Sequence, residues 1–217
     1  MRKHFMVDIE TTGTNLRKDD ILQIGILELE FLMGSWRPGK SFEMDLYTNR
    51  QPESQFAKEH QAELYERCRK VAFLPACSVR AHLLHFLQTC GVTGPDIYFM
   101  GWNAAGFDLP FLAAHAYLEP HRYEQDINGK DVPAGDFHYR IYELQGAISL
   151  AENVLGYNDR KGLIKDAEEH GRLSMLSSTF PGKQHDALFD CYRQTQILNG
   201  LITLLKGYEV HYKVDQG

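Results

Sequence analysis

The chain of 217 residues is 43% hydrophobic and 12% aromatic, enough to form a core in one large domain or in a domain with an appendage. This composition excludes an intrinsically disordered chain, and no apolar run approaches the ~20 residues of a membrane-spanning helix. The net charge of −6 argues against a broad basic face for duplex DNA, but it leaves room for a nucleic-acid enzyme with a small footprint.

The cysteines are widely spread and form no Cys-x-x-Cys pair; they are Cys68, Cys77, Cys90 and Cys191. This pattern predicts free thiols in a reducing compartment rather than a disulfide framework or a zinc site. The N-terminal residues run directly into a predicted strand and leave no room for a signal peptide. We therefore expect a cytoplasmic protein that does not enter a membrane.

The hydrophobic pattern predicts secondary structure in an order typical of a mixed sheet. Three strands come first, at residues 4–10, 20–31 and 41–47. Later come helices at 54–69, 78–90, 106–117, 141–154 and 186–205, and a strand at 97–100. Three leading antiparallel strands, then strands alternating with helices, predict an α/β fold with a mixed sheet flanked by helices. We expect a single domain over residues 1–205, followed by a tail or an extra element at 206–217.

The first strand carries two carboxylates. Asp8 and Glu10 alternate with apolar residues, so both side chains point to the same face of a strand whose other positions are buried. Two anions this close repel each other unless a cation lies between them. A divalent cation with oxygen ligands, Mg²⁺ or Mn²⁺, is the simplest solution. Taken alone the pattern is weak, because Glu28 and Glu30 have the same spacing in an ordinary alternating strand.

A third acid begins a helix. Small residues follow the strand at 97–100, and Asp108 comes in the first turn of the next predicted helix. Read alone, this acid is equally well explained by the positive N-terminal end of the helix. Phe107 and Phe111 beside it are interpreted as core residues, although either could stack on a base.

The last long helix carries a histidine and an acid five residues apart. His185 lies at its start, and Asp190 follows among apolar neighbours. An inward-facing carboxylate without a partner would be costly, and a metal ion would remove that cost. The alternative is an ordinary surface charge on the helix, with Asp186 as a capping acid.

Together, these motifs resemble the DEDDh group of 3′→5′ exonucleases, which includes proofreading exonucleases, ribonuclease T and oligoribonuclease. Asp8-x-Glu10, Asp108 in a small-residue turn, and His185 ahead of Asp190 match in order and spacing. Local motifs resemble oligoribonuclease most: Asn103 lies five residues before Asp108, and the stretches at 56–60 and 137–141 are similar to its Trp-Cys-Lys-Glu-His and His-Tyr-Arg-Ile segments. The chain departs from that pattern at Thr14, where leucine is usual, and at Phe56, which replaces a tryptophan.

The resemblance implies a ribonuclease H-like fold and a two-metal hydrolysis of phosphodiester bonds that releases nucleoside 5′-monophosphates. Asp8 is expected to bridge two cations, either Mg²⁺ or Mn²⁺. Glu10 and Asp190 would complete the shell of the first ion, and Asp108 would hold the second. His185 would be the general base, a role that suits an imidazole at neutral pH.

The expected substrate is the 3′ end of a single-stranded or short DNA or RNA molecule. The backbone of Thr11, Thr12 and Gly13 is expected to cradle the terminal nucleotide, since glycine allows close approach. By resemblance, Phe56 and Asn103 contact the substrate, and Tyr139 reaches the partner's site in a homodimer. The ordinary alternative for Tyr139 is an element edge.

Three further hypotheses remain open at this stage. A single-stranded DNA exonuclease of phage or proofreading type competes with an oligoribonuclease, because the oligoribonuclease positions at Thr14 and Phe56 differ. A non-catalytic nucleic-acid-binding module on the same fold is disfavoured, since none of the acids nor the histidine is missing. An endonuclease of the wider ribonuclease H-like class is disfavoured by the spacing of the last histidine and aspartate.

Overall fold

A mixed five-stranded sheet organises the chain. The computed structural model describes residues 2–125, 127, 129–172 and 183–215, with only the backbone of 132, 133 and 208–215. The sheet order is β3-β2-β1-β4-β7, and β5 and β6 form a separate hairpin. The strands are β1 Lys3–Thr11, β2 Ile21–Leu32, β3 Ser35–Asp45, β4 Ile97–Gly101, β5 Arg122–Gln125, β6 Asp131–Ala134 and β7 Tyr142–Glu143. The first three strands pair antiparallel, while β4 runs parallel to both β1 and β7, which confirms the predicted mixed sheet.

Helices cover both faces of this sheet. They are α1 Gln55–His60, α2 Ala62–Cys68, α3 Ala76–Thr89, α4 Asp108–Ala114, α5 Leu144–Leu155, α6 Arg160–Arg172 and α7 Ala187–Asp215. Phe5, Val7 and Ile9 of β1 pack in one core cluster with residues of α3 and α4. Met6 packs on the other face, in a cluster with residues of α7. The alternation of β1 therefore separates two cores, and Asp8 and Glu10 share the face of Met6.

Several predicted bounds differ from the structure. The predicted helix at 54–69 is two helices, because the backbone of Gln61 leaves helical geometry between them. Helix α6 was not predicted, since its composition is mostly charged and its buried stripe is only Leu163, Ala167 and Gly171.

The last helix also continues to Asp215, ten residues beyond the predicted end at Leu205. Gly207 is typical of a helix end, but an internal glycine costs only about 1 kcal/mol relative to alanine. The domain boundary at residue 205 stays a prediction, and residues 216–217 of the predicted tail lie outside the described residues.

All four cysteines are free thiols, as the sequence predicts, and three of them are buried. Among the described residues, no helix is long and apolar enough to cross a membrane.

Candidate active site

Strand β1 holds Asp8 and Glu10 on the α7 face of the sheet. Gly25 of β2 lies opposite Asp8, and a methyl group at Gly25 would come within 2.5 Å of the backbone of Ala187. Glycine at this position therefore lets the start of α7 approach the strand that carries the two acids. The register of β1 and β2 shifts between Glu10 and Thr11, an irregularity that often re-aims side chains beside functional sites.

The turn before α4 brings Asp108 to the same strand. Asn103 adopts a φ of 60°, and its carbonyl accepts hydrogen bonds from Gly106 N at 3.0 Å and Phe107 N at 2.9 Å. The turn ends at Asp108, a buried residue whose Oδ1 accepts a 2.9 Å hydrogen bond from the backbone N–H of Ile9. This bond joins the third acid directly to the strand of the first two.

Helix α7 supplies the last acid, and the histidine lies two residues before the helix begins. Glu10, His185 and Asp190 each offer a ligand atom, and these atoms all lie within 4.8 Å of one another. His185 has a φ of 68°, and its ring contacts those of Phe56 and His60 at centroid distances of 5.1 and 5.2 Å. His185 and Asp190 thus meet Glu10 in space, although they lie far from it in the sequence.

A polar network fixes the start of α7. Gln23 accepts a hydrogen bond from Ala187 N at 2.7 Å and donates one to Asp45 at 2.7 Å. Arg67 bridges Asp45 and Asp186, with N–O distances of 3.0 and 2.7 Å. Asp186 is therefore paired with an arginine at the start of α7.

Two neutral amides orient the acids of β1. Gln194 Nε2 donates to Asp8 Oδ1 at 2.8 Å, and its Oε1 accepts from Trp102 N at 2.8 Å. Gln61 Nε2 donates to Glu10 Oε2. Sequence reasoning missed both glutamines. The four-residue spacing from Asp190 indicates one helix face and could have revealed Gln194, whereas no local signal distinguishes Gln61.

The site concentrates negative charge that the protein itself does not neutralise. Burial, reinforced by the charge of Asp190, raises the pKa of Glu10 to about 8. Burial likewise raises the pKa of Asp108 to about 7, against the lowering effect of the hydrogen bond from Ile9 N. Burial and the charges of Asp108 and Glu10 raise the pKa of Asp8 well above its usual value.

Asp190 differs in having positive groups nearby. Burial raises its pKa, while His185 and then Arg193 lower it by their charge. Among the described residues, no lysine or arginine forms an ion pair with any of the four acids. Clustered carboxylates with raised pKa values and amide partners are the donor set that a hard divalent cation prefers, so Asp8, Glu10, Asp108 and Asp190 fit such a cation.

Two cavities adjoin three of the four acids, and Asp108 lines neither of them. One, of about 410 Å³, is lined by Asp8, Trp102, His185, Asp190 and Gln194, together with side chains of α6 and α7. The other, of about 460 Å³, is lined by Glu10 and by the predicted substrate residues Thr11, Thr12, Gly13 and Phe56. The structure thus brings these four predicted residues next to the acids. It also places Phe107 in this second cavity, whereas Phe111 is fully buried in the core as predicted.

Two predicted substrate residues lie elsewhere. Asn103 is exposed and shapes the turn ahead of Asp108, and it lines neither cavity. Tyr139 is 58% exposed and stacks on His138 at a centroid distance of 4.5 Å. Its expected role in a partner's site stays a prediction.

Solved structures of exonucleases share this fold. E. coli exonuclease I, in a zinc-bound complex with single-stranded DNA, aligns with a TM-score of 0.57 and 14% identity over 97% of this chain and 42% of that chain. A second structure of exonuclease I aligns with a TM-score of 0.58 and 15% identity, over 98% of this chain and 44% of that chain. Cell-death related nuclease 4 (CRN-4) aligns with a TM-score of 0.60 and 12% identity, over 94% of this chain and 64% of that chain.

These likenesses place the chain in the ribonuclease H-like fold class, as the sequence predicts. The chain spans less than half of exonuclease I and just under two thirds of CRN-4. Comparisons with protein-family profiles and with curated proteins give no match. The fold is therefore shared with nucleases, while the activity follows from the site itself.

Proposed function

We propose that the protein is a metal-dependent 3′→5′ exonuclease that releases nucleoside 5′-monophosphates from single-stranded or short oligonucleotides. The observation that carries this proposal is that ligand atoms of Glu10, His185 and Asp190 lie within 4.8 Å of one another. Asp8 lines an open cavity with His185 and Asp190, and Asp108 is hydrogen-bonded to the strand that carries Asp8 and Glu10. The resemblance of these five residues to the DEDDh group, and the shared fold of exonucleases solved with single-stranded DNA, both support it.

The acids would hold two divalent cations, Mg²⁺ or Mn²⁺. Asp8 is the central carboxylate, since the charges of Asp108, Glu10 and Asp190 all act on it. Glu10 and Asp190 would complete the shell of one cation, and Asp108 would hold the other. When bound, the cations supply a water molecule of lowered pKa and neutralise charge that develops on the phosphate. The hydrogen bonds from Gln194, Gln61 and Ile9 N hold three of the acids in orientation before any cation arrives.

His185 would accept the proton of the attacking water on an imidazole nitrogen. The water oxygen forms a bond to phosphorus, the bond from phosphorus to the 3′-oxygen breaks, and the terminal nucleoside 5′-monophosphate leaves. The departing 3′-oxygen takes up a proton from solvent and becomes the 3′-hydroxyl of the shortened strand, and His185 releases its own proton to solvent. The ring contacts with Phe56 and His60 limit the rotation of His185 and keep it beside Asp190.

The second cavity would bind the terminal nucleotide. The Thr11 hydroxyl donates to Gly13 O at 2.6 Å, which fixes the turn around which the nucleotide would lie. Phe56 is 50% exposed and lies in this cavity with Phe107, so both rings are available for stacking on a base. A homodimer in which Tyr139 enters the partner's site is the alternative that the resemblance implies for this residue.

The test is digestion of DNA and RNA oligonucleotides of two to thirty nucleotides, labelled at either end, with Mg²⁺ or Mn²⁺. We expect 5′-labelled strands to shorten one nucleotide at a time, since removal begins at the 3′ end. The rates on DNA and RNA decide between the phage or proofreading type and the oligoribonuclease type. Glu10→Gln removes one of the proposed metal ligands. Glu30→Gln is its matched control, because both residues are alternating glutamates on a strand.

Two results would overturn the proposal. Cleavage of a circular single strand would indicate an endonuclease. Thermal stabilisation by Mn²⁺ without shortening of any oligonucleotide would indicate a non-catalytic binding module.

A further inference from the structure

A row of aromatic rings crosses the sheet at the end opposite the acids. Tyr98 stacks on His138 with a centroid distance of 4.3 Å and an angle of 16° between the ring planes. His138 stacks on Tyr139 with a centroid distance of 4.5 Å and an angle of 24°. On the other side, the ring of His4 lies 5.7 Å from that of Tyr98. We define the aromatic row as Trp36, His4, Tyr142, Tyr98, His138 and Tyr139. Phe31 adjoins Trp36 beyond this row, at a centroid distance of 5.0 Å.

The row and the acids share one face of the sheet. His4 and Asp8 lie four residues apart on β1, so the alternation of the strand directs both side chains to the same side. Tyr98 pairs with His4 in parallel register, which places its ring beside that of His4. At about 3.3 Å per residue, the strand separates the row from Asp8 by roughly 13 Å. Met6 lies between them beneath α7, so a bound strand has to pass around this helix, and several nucleotides cover that path.

Two arginines give the row a positive charge. Arg2 lies 5.5 Å from the centre of the Tyr98 ring, and Arg140 lies 5.7 Å from that of Tyr139. In the described part of the chain, neither guanidinium forms an ion pair with a carboxylate.

The histidines of the row act as flat, uncharged rings at neutral pH. Burial lowers the pKa of His4, and the charge of Arg2 lowers it further. Burial also lowers the pKa of His138, again helped by a neighbouring arginine, Arg140. Positive charge in the row therefore comes from the arginines, while the rings present stacking faces.

The outer rings are open to solvent. Tyr139 is 58% exposed and Tyr142 is 50% exposed. Aromatic faces accompanied by unpaired guanidinium groups match the alternating bases and phosphates of a single strand. In a chain with net charge −6, two unpaired arginines over stacked rings favour an anionic polymer over a second acidic copy of this chain.

We propose that the aromatic row is a binding site for single-stranded nucleic acid, which holds the part of the strand that lies 5′ of the terminal nucleotide. The inference rests on the proposed function only for the direction of the strand. Binding at the row requires no hydrolysis, so it can be measured separately.

The test is fluorescence anisotropy in EDTA, which prevents metal-dependent cleavage, with oligothymidylates of three and fifteen nucleotides. Tyr142→Ala and Arg140→Ala should each weaken binding of the fifteen-nucleotide strand by about fivefold to a hundredfold. Binding of the three-nucleotide strand should not change. Arg140→Ala should also reduce the slope of log K against log salt by about 0.7, the loss of one phosphate contact on a single strand.

Matched controls come from the β5–β6 hairpin. Tyr123 is 73% exposed outside the row, and Arg122 is already paired with Glu119 and Glu124. Tyr123→Ala and Arg122→Ala should therefore bind the long strand like wild type. Tyr142→Phe keeps the ring, and it should retain wild-type affinity.

The inference is overturned if the row variants bind the long strand like wild type, or if they weaken both strands equally. It is also overturned if light scattering shows that the variants change the oligomeric state while affinity for the long strand stays the same, because the row would then be a contact between copies. Failure of the proposed function is a different result. In that case wild type binds the long strand through the row but does not shorten any strand when Mg²⁺ or Mn²⁺ is added.

Discussion

The two ends of strand β1 present opposite kinds of surface on one face of the sheet. At the C-terminal end, Asp8 and Glu10 are oriented by amides and lie against α7. At the N-terminal end, His4 belongs to a row of rings of which the outer members are half exposed. The first end holds carboxyl groups without a cationic partner in a fixed geometry. The second end presents aromatic faces with arginines beside them.

The difference teaches how chemistry and affinity are separated in this fold. Buried acids favour a transition state only when they are held accurately, so their environment is hydrogen-bonded and rigid. Stacking on bases tolerates many sequences and needs little accuracy, so its rings lie exposed at the sheet end. We therefore expect changes at the acids to remove catalysis while affinity for long strands remains. Changes at the row should weaken affinity for long strands while catalysis remains.

The largest expected effect comes from Asp190→Ala. Loss of a carboxylate that binds the cation should reduce the rate of hydrolysis by more than about 10³-fold, since even supporting residues of metal sites contribute 10–100-fold. Anisotropy with the fifteen-nucleotide strand in EDTA should remain within a few-fold of wild type. Full hydrolytic activity in this variant would contradict the assignment of Asp190 as a metal ligand.

His185→Ala should have the next largest effect, a decrease in kcat of about 10²–10⁴-fold, typical of a lost general base. Single-turnover digestion of a labelled strand measures the decrease. His60→Ala is the matched control, because its ring contacts His185 and Phe56 without approaching Asp190 as a ligand. Equal decreases in the two variants would indicate that His185 acts through packing.

Gln194→Ala should lower activity by about 10–100-fold, because Asp8 loses the hydrogen bond that orients it. The decrease should appear in kcat and in the Mn²⁺ concentration needed for half-maximal rate. Gln88→Ala, an exposed glutamine on α3, is the control. If added Mn²⁺ fails to recover any activity while the variant stays folded, Gln194 has another role.

The smallest expected effect is a change in stability with pH. The pKa of Glu10 is about 8 in the folded protein and near 4.5 when unfolded, so the folded state binds the extra proton between these values. In EDTA, stability should therefore fall as pH rises from 4.5 to 8. Glu10→Gln removes this loss, and its Tm at pH 8 should exceed that of wild type by several degrees.

The order of these Tm values should reverse with cation. Wild type should gain stability from Mn²⁺ at pH 8, and Glu10→Gln should gain less. Glu30→Gln, at an exposed ion pair with Lys3, should follow wild type in both buffers. A Tm of Glu10→Gln below that of wild type in EDTA at pH 8 would show that the Glu10 carboxylate does not destabilise the folded protein under those conditions.

Much of the fold was predictable from local pattern. The alternation of β1 placed Asp8 and Glu10 on one face, and the strand order gave the mixed sheet. The break at Gln61 was not predictable, because no glycine or proline marks it in the sequence. The Gln61 side chain is hydrogen-bonded to Glu10, fifty-one residues away in sequence, and only the folded structure shows this contact. Helix α6 was missed because most of its residues are charged, and Leu163 is the one large apolar residue of its buried stripe, beside Ala167 and Gly171.

The acids of the site were predictable because they lie in motifs, but their supporting residues were not. Gln23, Arg67 and Asp45 form a network between β2, α2 and β3, and only the folded arrangement brings them to the start of α7. The aromatic row was missed for the same reason. Its rings come from four strands and one loop, and their common face appears only from the register of the sheet.

A crystal soaked in Mn²⁺ tests the central claim most directly. Anomalous scattering locates the ions without reference to activity. We expect manganese between Asp8, Glu10, Asp108 and Asp190, within about 2.0–2.3 Å of their oxygens. Manganese found only elsewhere, or none at these four acids at millimolar concentration, would contradict the account.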